Sequence, residues 1–525
     1  MKKPLPQSAQ STRRKAFKIL CALSVLCGGL ILSSCTLPSD APATPPDFVL
    51  VTDAPNSVPS PTAFQPITVD TESPPETVVP TETYSPTPSP LAPLPDGEGN
   101  THPQYTLKAI LNYPARTLDV EQTIEYTNQS NTALDKLVLA VDPNRWGGCF
   151  ELQQLSVNNF DVAPTLEGMR MEIPLGAQLP PGASANVEMR YRLNIPVKQN
   201  DQVFGYYGDL QINLVNWFPF IVPYDDANGW LIHAPSGVGE HLVYETSDFY
   251  VALKLEGQDN AIVAASAEGK KTGVWYQYQL AGARTFAFSV SSAFRSQTVS
   301  SENGRVTSFY FPNYERPGKA ILDSASRAID IYSRRYGPNP YPHLSVVQTE
   351  LPDGMEYDGL IFMGTDFYNE YDGTLKNNLI ALGVHEVSHQ WFFGAVGSDQ
   401  ALEPWLDESL ALYSERIFYE ETPPYPVTWW WRWRVTWFQP SGWVDRTIYT
   451  DADFRNYTDA TYLRGALFLE DLRERIGEKA FNAFLLDYVA TYTHNIATTN
   501  DFFAILDKHT GIDYADIVDA YFLNQ

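Results

Sequence analysis

The spacing of apolar residues changes once along this chain, and the change limits what it can fold into. Between residues 104 and 300 apolar and polar residues alternate, as in "VEMRYRL" (187–193), "FYVALKL" (249–255) and "VWYQYQL" (274–280). That is the period of a strand with one buried face. Turn-forming stretches such as "LPPGAS" (179–184) separate these segments. Beyond residue 310 the period becomes helical. "KAILDSASRAIDIYSRRYG" (319–337) repeats apolar residues at i, i+3 and i+4 and stops at Gly337. "LSVVQTE" (344–350) reads as a short strand, and "NNLIALGVHEVSHQWFF" (377–393), "WLDESLALYSERIFYEE" (405–421) and "YLRGALFLEDLRERIG" (462–477) read as helices. Two periods in two blocks predict a multidomain chain. A largely antiparallel β domain spans 104–300 and an α+β domain spans 301–525, and 525 residues are enough for two cores.

The first hundred residues have a different character. Six basic residues, the last of them Lys18, precede the apolar run "ILCALSVLCGGLIL", which closes with "LSSC" at Cys35. Residues 1–34 therefore read as a signal peptide. Leu32 to Cys35 resembles the lipobox of bacterial lipoproteins, which implies a lipid on Cys35 and an extracytoplasmic protein anchored to the cell membrane. An uncleaved anchor and an ordinary secreted protein are the alternatives. Residues 36–103 hold seventeen prolines and nine acidic residues but no Lys or Arg. Such a stretch buries too little apolar surface to offset its ordering entropy, so 35–103 is expected to be a disordered tether.

Charge narrows the function classes. The formal net charge is −26, and −32 once the six basic residues of the signal are gone. Nucleic acid is excluded as a partner, because phosphate contacts need clustered Lys and Arg. A cationic partner such as a peptide amino terminus is compatible with this charge. Outside the signal and Cys35 the only cysteine is Cys149, so the mature chain has no internal disulfide and no cysteine-based zinc site.

The segment "HEVSHQW" (385–391) carries the chemistry. Residues i and i+4 of a helix share a face, so His385 and His389 can offer ring nitrogens to one zinc ion. Glu386, between them, suits a general base acting on water at the metal. Such a pattern also arises by chance. Glu408 changes that, because it follows His389 with eighteen residues between and sits on the next helix. Two histidines and one glutamate leave the fourth coordination position open, which is the catalytic arrangement. Glu415, two turns beyond Glu408, either orients a ligand histidine through its second ring nitrogen or is a solvated helix glutamate.

"HEVSHQWFFGAVGSDQALEPWLDESLALY" resembles the core of the aminopeptidase N family of gluzincins, in which the glutamate of a W-L-(N/D)-E motif follows HExxH after eighteen residues. "GMEY" (354–357) is similar to the family's G-x-M-E-N strand, and "YLRG" (462–465) to its Y-x-K-G motif. The resemblance implies a thermolysin-like catalytic domain with one Zn²⁺ per chain held by His385, His389 and Glu408. It implies that Glu356 binds the free α-amino group of a peptide and that Tyr462 stabilises the tetrahedral intermediate. Weaker likenesses, "NWFPF" (216–220) and "RTFAF" (284–288), lie in the β domain. Tyr357 stands where the family has Asn, Arg464 stands for Lys, and the helical domain that roofs larger members is expected to be missing. The expected partners are peptides with free amino termini and the membrane, through the lipid. The expected function is a zinc aminopeptidase. The alternatives are an endopeptidase with a cleft open at both ends and a peptide-binding lipoprotein without turnover. "PYPVTWWWRWRVTWF" (424–438) has five tryptophans that could wall the cleft, touch the membrane or cover the core. It receives no role at this stage.

Overall fold

The structure, a computed structural model, describes residues 102–199, 202–450 and 452–524. The signal peptide, Cys35 and nearly all of the expected tether lie outside the described residues. Those described belong to one compact unit. None of their helices is long and apolar enough to cross a membrane.

The amino-terminal half is built from strands, as the period-two pattern predicts. An eight-stranded sheet has Gln104–Asn112 near its middle, paired antiparallel with Thr117–Thr127 and parallel with Ser247–Glu256. Every other pair in this sheet is antiparallel. Along Thr117–Thr127 the residues Leu118, Val120, Gln122, Ile124 and Tyr126 all face inward. Gln122 is the polar exception, and both ends of its amide are satisfied: Nε2 donates to Pro219 O at 2.6 Å and Oε1 accepts from Tyr191 Oη at 3.0 Å. Two four-stranded sheets, one with Leu134–Ala140 at its centre and one with Gln211–Leu214, bury their apolar faces in the same core.

A mixed five-stranded sheet follows, in the order Arg295–Ser301, Gly304–Tyr310, His343–Thr349, Leu360–Gly364, Gly354–Tyr357. Its first strand straddles the 300/301 division. Its last strand is an edge, with one side unpaired. Helix α1 (Glu315–Tyr336) buries Ile321, Leu322, Ala325, Ile329 and Tyr332. The α1 hydroxyl of Tyr332 donates to Val384 O at 3.1 Å and to Ser414 O at 2.9 Å. One phenol thereby ties together helices α2 (Asn378–Ser388) and α3 (Trp405–Glu421). Helix α4 (Gly465–Ile476) crosses α3 closely, since a Cβ on Gly465 would lie 1.9 Å from Ser409 Oγ.

Two expected helices differ in extent. The one expected over 377–393 ends at Ser388, because the chain turns there: Ser388 Oγ returns to His385 O at 2.7 Å and Phe393 adopts φ 138°. The stretch starting at Tyr462 is α-helical only from Gly465. Thr458–Arg464 winds as a π-helical turn, a form that often marks functional sites.

Arg284 joins the two halves. Only 3% exposed, its guanidinium donates to Phe393 O at 2.8 Å, Tyr244 O at 2.8 Å and Asn495 O at 2.7 Å. Asp358 beneath it accepts from the backbone N–H groups of Arg284 and Thr285 at 3.0 and 2.6 Å. Removing the fork strands several buried carbonyls, each at roughly 1 kcal/mol or more. Arg284→Met is therefore expected to lose ~3 kcal/mol of unfolding free energy. Urea denaturation followed by tryptophan fluorescence measures this, and an unchanged midpoint would count against the anchor.

Candidate active site

The turn that ends α2 places the first residues of the site. Asn377 caps the helix by accepting from Leu379 N–H at 2.9 Å. His385 occupies the last turn and His389 stands at the C-cap, still with α-region backbone (φ −63°, ψ −13°). The pair therefore shares a face even though the second histidine lies just past the helix end. Gln390 holds the turn against the edge strand. Its Oε1 accepts from Gly359 N–H at 2.8 Å and its Nε2 donates to Tyr357 O at 3.2 Å.

Glu408, on the first turn of α3, meets both rings. Its Oε2 lies 3.3 Å from His385 Nε2 and 3.8 Å from His389 Nε2. Ligands on a tetrahedral zinc sit about 3.3 Å apart, given bonds of about 2.0–2.1 Å. Glu408 Oε2 is buried and has no hydrogen-bond donor of its own. A buried carboxylate oxygen facing two imidazole nitrogens is a donor set suited to a divalent cation. The residues present fit zinc.

The outer faces of both rings meet carboxylates. His385 Nδ1 lies 3.3 Å from Glu415 Oε1, and His389 Nδ1 lies 2.5 Å from Asp407 Oδ1 and 3.0 Å from Phe392 O. Gln400 Nε2 steadies Asp407 from behind at 2.7 Å. Of the two readings open for Glu415, the solvated one does not hold, because the side chain is entirely buried. Outer carboxylates of this kind fix the tautomer that leaves each Nε2 free.

Glu386 projects beside the ligands. Its Oε2 is buried without a hydrogen-bond partner, and burial pushes its carboxyl well above the usual range while the two histidines pull it down. A raised carboxyl suits a group that must take up a proton and return it. Ligand atoms of Glu356, Glu386 and His389 lie within 4.8 Å of one another, so Glu356 belongs to the same cavity. Burial pushes Glu356 up to about 7; His389 lowers it, and Asp407 and Glu408 add to the rise. Tyr462 stacks on His385, with ring centroids 6.1 Å apart and planes at 9°. Burial and the Glu408 charge hold its hydroxyl far above the ordinary tyrosine range, so it remains a proton donor. Its place against α3 is set by Ser409 Oγ, which donates to Thr461 O at 2.6 Å. Arg464 points elsewhere, donating to Ala520 O at 2.5 Å and lying over the Tyr521 ring.

The fold thus brings His385, Glu386, His389, Glu408, Glu356 and Tyr462 together, while Cys35 lies outside the described residues. Sequence reasoning missed three neighbours. Asp407 had a signal, being the residue beside Glu408 in "WLDE". Glu240 had none. It comes from a loop of the β-rich half, and burial plus the charges of Glu356, Glu408 and Asp407 raise its carboxyl well above the usual range. Tyr457, 1% exposed, has a hydroxyl without a partner and a ring 5.8 Å from that of Tyr462.

Together, a two-histidine, one-glutamate donor set, a neighbouring carboxyl and a phenol make up a candidate zinc-hydrolase site. Residues 321–521 match the profile of the Peptidase family M1 domain. Aminopeptidase M1-C of Oryza sativa is 23% identical over 42% of this chain and 27% of its own length. Aminopeptidase N of Lactobacillus helveticus is 26% identical over 52% of this chain and 35% of its own. The chain spans about a third or less of the length of these relatives. The M1 zinc metallopeptidase of Deinococcus radiodurans has the same fold, with a TM-score of 0.58 at 17% identity over 80% of this chain and 93% of its own. A mutant of that protein has been solved with a Tyr-Ser-Ala substrate. Over residues 321–521 the chain is therefore similar to the M1 peptidase family, and it shares the fold of an M1 zinc metallopeptidase.

Gly354, at the start of the edge strand, is required by the site. A Cβ there would fall 2.2 Å from Glu386 Oε1. Gly354→Ala is expected to displace the base and lower kcat by roughly 100-fold, the penalty typical of a misplacement near 1 Å. Bound zinc, measured by atomic absorption, should not change.

Proposed function

We propose that this chain is a zinc-dependent aminopeptidase that removes residues from the free amino ends of peptides and holds one zinc per chain. The observation that carries the reading is the buried carboxylate of Glu356, whose oxygen lies within 4.8 Å of ligand atoms of Glu386 and His389, with Glu240 close enough to interact with its charge. An ammonium group is the natural counter-ion for a buried carboxylate held above the usual range by burial and by the charges of Asp407 and Glu408. Glu356 lies on an edge strand, whose unpaired side can receive an extended peptide by backbone hydrogen bonding. A substrate anchored by its amino terminus would present its first peptide bond to the centre.

His385, His389 and Glu408 would hold the metal. Bound zinc supplies a Lewis acid that polarises the scissile carbonyl and acidifies water. Glu386 takes the proton of the attacking water and returns it to the leaving amine. Tyr462 donates to the developing oxyanion, charge that exists only in the transition state. Glu356 and Glu240 fix the register by holding the α-ammonium. The amino-terminal features support a lipoprotein form, acylated at Cys35 and exposed outside the cytoplasm on a bacterial membrane. Palmitate labelling that is lost in Cys35→Ser tests that part.

Peptides with free and acetylated amino termini separate exopeptidase from endopeptidase action. Only the free series should be cleaved, and equal cleavage of both would transfer the assignment to an endopeptidase. Glu386→Gln is expected to keep its zinc and lose about 10²–10⁴-fold in kcat. Undiminished turnover would leave only a binding role for the site.

A further inference from the structure

The tryptophan-rich stretch contributes no ligand, yet it reaches the metal centre from behind. Val427–Trp430 is a short helix that continues as a π-helical turn, Trp431–Val435. Trp430 is fully buried and the Arg434 side chain is 16% exposed, whereas Trp433 and Trp437 face solvent. Both inward residues end on one carboxylate. Trp430 Nε1 donates to Glu415 Oε2 at 2.8 Å, Arg434 Nε donates to the same oxygen at 2.9 Å, and Arg434 Nη2 donates to Oε1 at 2.6 Å. Glu415 Oε1 is also the atom 3.3 Å from His385 Nδ1.

We propose that Arg434, assisted by Trp430, is a positioning residue for the metal centre, holding Glu415 in the one orientation that aims His385 Nε2 at the ion. The inference rests on the reading of His385 as a zinc ligand. A carboxylate on a helix can rotate, and it orients an imidazole only if its own plane is fixed. Two donors occupy Oε2 and one occupies Oε1, so Oε1 keeps a lone pair toward His385 Nδ1, which is buried, 3.3 Å away and has no other partner. The planar guanidinium fixes both oxygens at once, which a lysine ammonium does not do. It also places a positive charge against a carboxylate that no water reaches, and such a charge is costly to bury alone. The stretch is therefore the outer wall of the metal site, and its buried indole is there for its N–H.

Zinc affinity, read by competition with a chromophoric chelator, tests the relay. The proteins compared are the wild type, Arg434→Met, Arg434→Lys, Trp430→Phe, Glu415→Gln and the double variant Glu415→Gln with Arg434→Met. Circular dichroism of each metal-free protein scores folding. Arg434→Met is expected to weaken zinc binding roughly 10–100-fold, the usual penalty for losing an outer partner. Arg434→Lys should recover part of the loss. In the Glu415→Gln background Arg434→Met should add nothing, because both changes break one relay. Should Arg434→Met fail to fold, Trp430→Phe and Arg434→Lys carry the test, each with a smaller loss in affinity. Unchanged affinity in folded variants, or full additivity in the double variant, would overturn the relay and leave a structural cover. A wild type that binds no zinc would instead overturn the parent reading, so the two failures are distinct.

Discussion

Helices α2 and α3 bury two histidines and four carboxylates against each other, and the surrounding structure makes that burial tolerable. His385, Glu386, His389, Asp407, Glu408 and Glu415 are each 5% exposed or less. Charge removed from water costs several kcal/mol per group unless it is paired and hydrogen-bonded. Arg434 and Trp430 compensate Glu415, and Gln400 and His389 compensate Asp407. Glu408 faces the two imidazoles and the Tyr462 hydroxyl, and a divalent cation fits its remaining oxygen. The same concentration of carboxylates gives the pocket an anionic character that suits cations.

Close approach of backbone to side chain is the second requirement. Gly465 lets α4 meet α3 at Ser409, which sets Tyr462 over His385, and Gly354 lets the edge strand run against Glu386. The β-rich half contributes more than a platform. Through Arg284 it grips the turn that follows His389, and the charge of Glu240 interacts with the carboxylates of the site. The geometry of the site thus depends on the contact between the two halves.

Much of this was legible before the structure. The period-two segments are strands with their apolar residues inward, and the helix of 319–337 appears within a few residues as Glu315–Tyr336. The helix carrying the histidines was read too long for a physical reason. Trp391 and Phe392 are buried in the turn beyond Ser388, so the apolar pattern continues where the helix does not. The π-helical turn at Tyr462 was invisible for a related reason. One extra residue per turn hardly disturbs an apolar pattern, but it redirects the phenol.

Local chemistry was what the sequence by itself determined. Spacing alone sets which side chains can share one helix face, so His385, Glu386 and His389 declared themselves, and Glu408 followed from its motif. Only the tertiary structure decided which distant groups face them. Asp407 and Glu415 became the outer partners of the two rings because α3 packs on α2. The charge of Glu240 came to interact with those of Glu356 and Glu408, and the tryptophan-rich stretch became the support of Glu415 through Trp430 and Arg434. Sequence separation carries no information about such contacts, because they form only when packing of the two cores brings the segments together.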